Sequence, residues 1–197
     1  KINKIDLAKK YIDKLLTIQK NNYEFLRDKA FIEYSNKNYS ISEKFINKAL
    51  SHNSEEVFGL NILGLLYLEK DEILNAIKIF KKAISINPQY TDSYNNLGKC
   101  YIDLEKLNLA YLNFKKAYKT NPNSDLPLIN IGNILSLKDK NDLAIKFYEK
   151  AKTINPNNQQ ADENIFICNV RLKNFEWVER KFLNLQKSNN LNPDLVL

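Results

Sequence analysis

The chain has 197 residues, 44% of them apolar, which is enough material to bury a core. Its 4 glycines, 2 cysteines and 1 histidine are too few for a phosphate-cradling glycine loop or a Cys/His zinc site, so neither cofactor nor metal nor catalytic constellation is expected. The net charge of +7 and pI near 9.2 invite a nucleic-acid reading, but the charge is spread thinly, as +3 over 1–56, +1 over 57–90, +2 over 91–124, +1 over 125–158 and 0 over 159–197.

In chain order, residues 1–22 set Ile5, Ala8, Ile12 and Leu15 on one stripe, which predicts an N-terminal helix, either capping the array or left over from an earlier repeat. From there a period of 34 residues governs the chain. Pro88, Pro122 and Pro156 each follow an Asn, Gly64, Gly98 and Gly132 share a second phase, and Ala76, Ala110 and Ala144 a third. Residues 57–90, 91–124 and 125–158 therefore read as three like units, each two amphipathic helices around a polar turn such as Glu69-Lys70-Asp71-Glu72. Small residues belong where paired helices cross, and the aromatics Phe80, Phe114 and Tyr148 fill the adjacent hole. Proline ends the second helix, because it lacks an N–H and disfavours helix in the preceding residue.

The flanking units are degenerate. Residues 23–56 keep Ala30, Ile46 and Ala49 but put Lys29 and Glu33 where apolar residues are expected. Residues 159–192 keep Ile165 and Phe182, with Phe166, Val178 and Leu185 at the small phases, and 193–197 form a tail with an apolar end, Leu195-Val196-Leu197. All of this is expected to be one contiguous domain. The opening on Lys1 without a methionine suggests a processed chain or a piece of something longer.

Leu60-x2-Leu63-Gly64-x2-Tyr67 with Ala76-x3-Phe80 and Pro88, and Tyr94-x2-Leu97-Gly98-x2-Tyr101 with Ala110-x3-Phe114 and Pro122, resemble the tetratricopeptide repeat. The third unit follows with Leu128-x2-Ile131-Gly132-x2-Leu135, Ala144-x3-Tyr148 and Pro156. The resemblance covers roughly residues 23 to 190 and implies an all-α fold, a right-handed superhelical solenoid whose first helices line a concave groove.

The phase before the signature Leu or Ile holds Ile62, Asn96, Asn130 and Asn164, three asparagines in register. An Asn amide carries both a donor and an acceptor and suits a peptide backbone. The arrangement resembles the asparagine ladder of repeats that precede protein O-linked glycosyltransferase domains, where the amides grip a substrate polypeptide. A second reading stands beside it, that Asn is common at this phase and throughout a chain with 29 of them. Asn61, Asn95, Lys99 and Asn133 complete the groove candidates. A carboxylate clamp of the chaperone-binding kind is not present: counted from the second unit its places hold Asn61 and Leu65, then Asn96, and counted from the third Asn95 and Lys99, then Asn130, then Gln160 and Asn164 where two basic residues are required.

Cys100 and Cys168, two repeats apart, read as buried, unbridged hydrophobes, in keeping with a cytoplasmic setting. His52 reads as a surface residue, and Trp177 as packing the terminal repeat against its own end helix or a following domain. Lys81, Lys82, Lys115, Lys116, Lys146 and Lys150 fall on second helices and read as a solvated basic ridge. The longest apolar run, Ile62 to Leu68, is 7 residues, against about 18 for a membrane span, so no membrane contact is expected.

The expected function is a protein- or peptide-binding scaffold or adaptor without catalysis, its partner an extended peptide in the groove, with nucleic acid disfavoured. Two alternatives stay open. One is the substrate-docking region of a larger enzyme such as a glycosyltransferase. The other is a secretion-type chaperone with an apolar groove through Phe58, Leu65, Leu126 and Ile129.

Overall fold

A computed structural model describes residues 4–188, with side chains through residue 184. The tail 193–197 with its apolar end, and the Leu185 side chain, lie outside the described residues. All regular structure in the described residues is helical: α1 (Lys4–Ile18), α2 (Tyr23–Ser35), α3 (Tyr39–His52), α4 (Val57–Glu69), α5 (Ile73–Ile86), α6 (Thr91–Asp103), α7 (Leu107–Thr120), α8 (Leu126–Leu137), α9 (Asn141–Ile154), α10 (Gln159–Arg171) and α11 (Phe175–Ser188). Helices α1–α7 form one compact unit and α8–α11 a second, divided between Thr120 and Asn121.

Both units are built from antiparallel pairs, a first helix followed by a second. In the first unit α2, α4 and α6 touch one another in a row, so the first helices form one layer and α3, α5 and α7 the other. In the second unit α8 and α10 touch in the same way.

What sets the distance within each pair is one small residue facing one large one. A Cβ added at Gly64 would lie 2.4 Å from the ring of Phe80, and Gly98 and Gly132 stand in the same relation to Phe114, at 2.6 Å, and Tyr148, at 2.4 Å. Those three rings are essentially sealed from solvent. The first pair solves the same volume problem differently, with Ala30 at the glycine phase and the slimmer Ile46 at the aromatic phase, both 0% exposed. In the last pair Phe166 takes the glycine phase, no hole is left, and Phe182 is turned out to 41% exposure. Trp177 on α11 is half-buried with its ring centroid 6.4 Å from that of Phe166, so it packs α11 against α10 within the terminal pair.

Each turn inside a pair is closed by one recurring device. Lys37, Asp71, Glu105, Asp139 and Lys173, spaced 34 apart, all have positive φ, between 56° and 62°. The following N–H returns to the carbonyl five residues back, as in Asn38 to Glu33 (2.8 Å), Glu72 to Tyr67 (2.9 Å) and Lys106 to Tyr101 (2.8 Å). The second bond of a Schellman motif accompanies it, Lys37 to Tyr34 (2.9 Å) and Asp71 to Leu68 (3.0 Å) among them. None of these positions is a glycine; the glycines are reserved for helix crossings.

Between pairs, asparagine shapes the loop. Asn87 Oδ1 accepts from the Gln89 N–H at 2.9 Å and Asn121 Oδ1 from Asn123 at 3.2 Å, Asx turns that span the prolines. Asn158 caps α10 by accepting from Ala161 at 2.8 Å, and its amide reaches Asp125 Oδ2 at 2.7 Å.

Helix α1 docks on α2 through charge. Lys29 is 5% and Glu33 1% exposed, and the positions that look degenerate in sequence are the centre of a network reaching α1. Lys29 Nζ is 2.6 Å from Asp13 and 3.0 Å from Glu33, and Lys9 Nζ is 3.0 Å from Glu33. Asn38 adds a hydrogen bond to the same carboxylate at 2.8 Å.

Candidate functional site

The first-helix layer is where the sequence places the groove residues, and the two units treat them differently. In the first unit Asn61 on α4 and Asn95 and Asn96 on α6 are 5%, 4% and 8% exposed. Asn96 Nδ2 donates to Asn61 Oδ1 at 2.9 Å, an amide pair that ties α6 to α4. Asn95 Oδ1 is buried and has no partner in the structure, as has the Ser93 hydroxyl. Lys99, one turn further along α6, is exposed. Asn61, Asn95 and Asn96 are thus held inside the α4/α6 packing rather than presented on its surface.

Toward the start of the same layer, the Arg27 guanidinium lies 5.5 Å above the Phe58 ring and 3.3 Å from Glu56, while the Phe31 ring packs against Phe58 with centroids 5.4 Å apart and planes tilted by 53°. Glu56 in turn caps α4 by accepting from the Gly59 N–H. Burial, with the Asp92 and Glu56 carboxylates nearby, pushes the half-buried Tyr90 hydroxyl well above its ordinary pKa, so it stays a neutral donor.

In the second unit the corresponding amides reach the surface. Asn130 and Asn133 on α8 and Asn164 on α10 are all half-buried. Asn164 Nδ2 donates to Asn133 Oδ1 at 2.9 Å, and Tyr148 donates its hydroxyl to the same oxygen, also at 2.9 Å. Both lone pairs of that carbonyl are engaged, which fixes the Asn133 amide with its NH2 turned the other way. Asn130 Nδ2 is buried and finds no acceptor in the structure. Leu126 at 41% and Ile167 at 45% exposure sit on the same two helices, while Ile129 is buried. Half-buried amides beside exposed aliphatics offer hydrogen bonds and apolar contact together, the combination that an extended polypeptide presents in return.

Position thus decides which asparagines are available, and sequence phase alone does not reveal it. Asn96 and Asn164 occupy the same phase and both donate to another Asn, yet one is sealed and the other half open. The apolar candidates divide similarly, since Phe58 and Leu65 are half-buried, Leu126 is open and Ile129 is core. The signal that sequence reading missed is the partner residue: Asn61 shuts Asn96 in, and Tyr148 supports Asn133 from the second helix. Cys100 and Cys168 are both free and buried, and burial, with Asp103 beside it, pushes the Cys100 thiol up to about 12.

Models of the tetratricopeptide repeat match residues 59–90, 79–111 and 127–158, so the chain carries tetratricopeptide repeats. No curated protein matches it by sequence. Among solved structures it is similar to PilF of Pseudomonas aeruginosa, at 17% identity over 95% of this chain and 86% of that one, with a TM-score of 0.78. It is also similar to MamA, at 18% identity over 90% and 97% of the two chains (TM-score 0.70). YrrB, described as a repeat protein of the same kind with an unusual peptide-binding site, is 21% identical over 95% of each chain, with a TM-score of 0.64. At these identities the likeness shows the fold, a helical solenoid of paired-helix repeats.

Proposed function

We propose that this chain is a peptide-binding scaffold without chemistry of its own, and that its contact with an extended polypeptide is made by Asn130, Asn133 and Asn164 on α8 and α10. The observation that carries the reading is the half-buried Asn133–Asn164 pair beside Asn130, whose amide nitrogen has no acceptor in the free protein. Rotation of the half-buried Asn130 side chain would bring that buried nitrogen to the surface, where a peptide carbonyl would satisfy it. Each bond made in this way contributes about 0.5–1.5 kcal/mol. Leu126 and Ile167 add apolar contact on either helix. YrrB, with its peptide-binding site on the same fold, supports the reading by analogy. Among the described residues no helix is long and apolar enough to cross a membrane; the setting proposed for the adaptor is the cytoplasm.

The test is selection of phage-displayed random peptides on the purified chain, followed by calorimetric titration of the best binder. Asn130→Ala with Asn164→Ala should weaken that peptide by about tenfold, the loss of one or two net hydrogen bonds. Peptides that bind the double variant as tightly as the parent, with the melting temperature also unchanged, would refute the assignment.

A further inference from the structure

The +7 charge that looks evenly spread along the sequence is concentrated on one layer of the first unit. Helix α3 exposes Lys44 and Lys48, and its one acidic residue, Glu43, is taken by Lys70 at 2.6 Å. Between Ile73 and Ile86, α5 exposes Lys78, Lys81 and Lys82 and has no Asp or Glu at all. The same holds for α7, which exposes Lys115, Lys116 and Lys119 with no acidic residue between Leu107 and Thr120. The three second helices thus carry +1, +3 and +3, as much as the +7 of the entire chain. None of these lysines makes an ion pair among the described residues.

The spacing puts each set on one stripe of its helix. Leu74, Lys78, Lys81 and Lys82 follow at i, i+4, i+7 and i+8, and Leu112, Lys115, Lys116 and Lys119 at i, i+3, i+4 and i+7. The stripes on α5 and α7 therefore begin with an exposed leucine, Leu74 at 73% and Leu112 at 53%, and continue in lysine.

We infer that this layer is a docking surface for an anionic phospholipid bilayer. The argument is charge complementarity combined with the kind of cation and its neighbours. Lysine is a hydrated point charge that suits a diffuse sheet of headgroup phosphates, and clusters of about 4–8 cations on amphipathic helices are the usual anionic-lipid footprint. The leucines supply what a bilayer accepts and a phosphate backbone does not, an apolar side chain for the acyl boundary. Nucleic acid would call for the opposite elaboration, with arginine forks and exposed aromatic rings. No arginine lies on α3, α5 or α7, and every Phe and Tyr ring on them is buried or half-buried. A peripheral surface needs no spanning segment, so the expectation of no membrane contact, which rests on the lack of such a segment, does not bear on it.

The experiment is sedimentation of the full chain with phosphatidylcholine vesicles and with the same vesicles containing phosphatidylglycerol. The chain should bind only the anionic vesicles and be released as salt rises. Replacing Lys78, Lys81, Lys82 and Lys115 together by alanine should reduce binding at least about tenfold, given the attraction each lysine contributes near a charged surface. These lysines are exposed, so the circular dichroism and melt of the variant should match the parent. Leu74→Ser with Leu112→Ser should weaken binding while keeping its salt dependence. Equal binding to neutral vesicles, unchanged binding by the lysine variant, or tighter lysine-dependent binding to single- or double-stranded DNA would overturn the inference.

Discussion

Lys29 Nζ stands 3.0 Å from Glu33 Oε1 one helical turn away, and the two side chains are 6% and 2% exposed. A buried pair of this kind persists because every charge in it is further satisfied, here by Asp13 and Lys9 of α1 and by Asn38. Burial alone would raise the Glu33 carboxyl, but the hydrogen bonds from Asn38, Lys9 and Lys29 outweigh it and hold the group at about 2. A carboxyl whose pKa is depressed on folding contributes its stability above the unfolded value and loses it as pH falls through the folded one. The first unit should therefore weaken between about pH 4.5 and pH 2, with α1 the element that lets go. Glu33→Gln should cost about 3–5 kcal/mol at neutral pH by leaving Lys29 with less than its complement of charge. It should also flatten the acid dependence. Urea midpoints at pH 7 and pH 3 for parent and variant measure both effects.

At the helix crossings the expected outcome is destabilisation without loss of fold. A methyl at Gly98 would meet Phe114 at 2.6 Å, and that ring is fully enclosed. Gly98→Ala should cost about 1–3 kcal/mol through overpacking. Ala30 with Ile46 shows how the chain itself accommodates the methyl, so Gly98→Ala combined with Phe114→Ile should be more stable than the sum of the single changes predicts. A double-mutant cycle on denaturant melts reads the coupling.

The repeat fold was legible because the period of 34 ties proline, glycine and alanine to fixed phases. The turns were legible as polar stretches but not in conformation. The left-handed residue is Lys, Asp or Glu, and nothing in those side chains announces a positive φ. Lys29 and Glu33 looked like decay of the pattern because their partners lie 16 and 24 residues upstream, on a helix whose docking no local rule fixes. At the candidate site the asparagines were visible by phase, whereas their exposure depends on what faces them. Nor did counting charge by segment show the lysine layer, since consecutive second helices are separated in sequence by stretches that carry the compensating acids, Glu55, Glu56, Glu69, Asp71 and Glu72 between α3 and α5 and Asp92, Asp103 and Glu105 between α5 and α7.

Positive φ at a non-glycine residue costs about 1–2 kcal/mol, so each of the five turns stores some strain. Asp71→Gly should relieve it and raise stability by about 0.5–1 kcal/mol after allowing for the freer unfolded chain. Asp71→Val, β-branched at the same angle, should lower it by a similar or larger amount. Thermal melts of the two variants should bracket the parent; a glycine variant less stable than the parent would show that the Asp71 side chain matters more than its backbone.

The last prediction separates the two asparagine pairs, which share one chemistry and differ in burial. Asn96→Ala removes the donor at 2.9 Å from Asn61 Oδ1 and leaves that oxygen buried without a partner. The cost is about 1–3 kcal/mol, so the melting temperature should fall clearly. Asn164→Ala frees Asn133 Oδ1, but Tyr148 still donates to it at 2.9 Å and both amides are half open to water. Its melt should stay within about 0.5 kcal/mol of the parent, as surface substitutions usually do. The two effects run opposite in binding, because peptide affinity should drop for Asn164→Ala and, at a temperature where both variants are folded, hold for Asn96→Ala. If Asn96→Ala keeps its stability and loses peptide instead, the first unit contributes rungs of its own, and the buried amides must open when a peptide arrives.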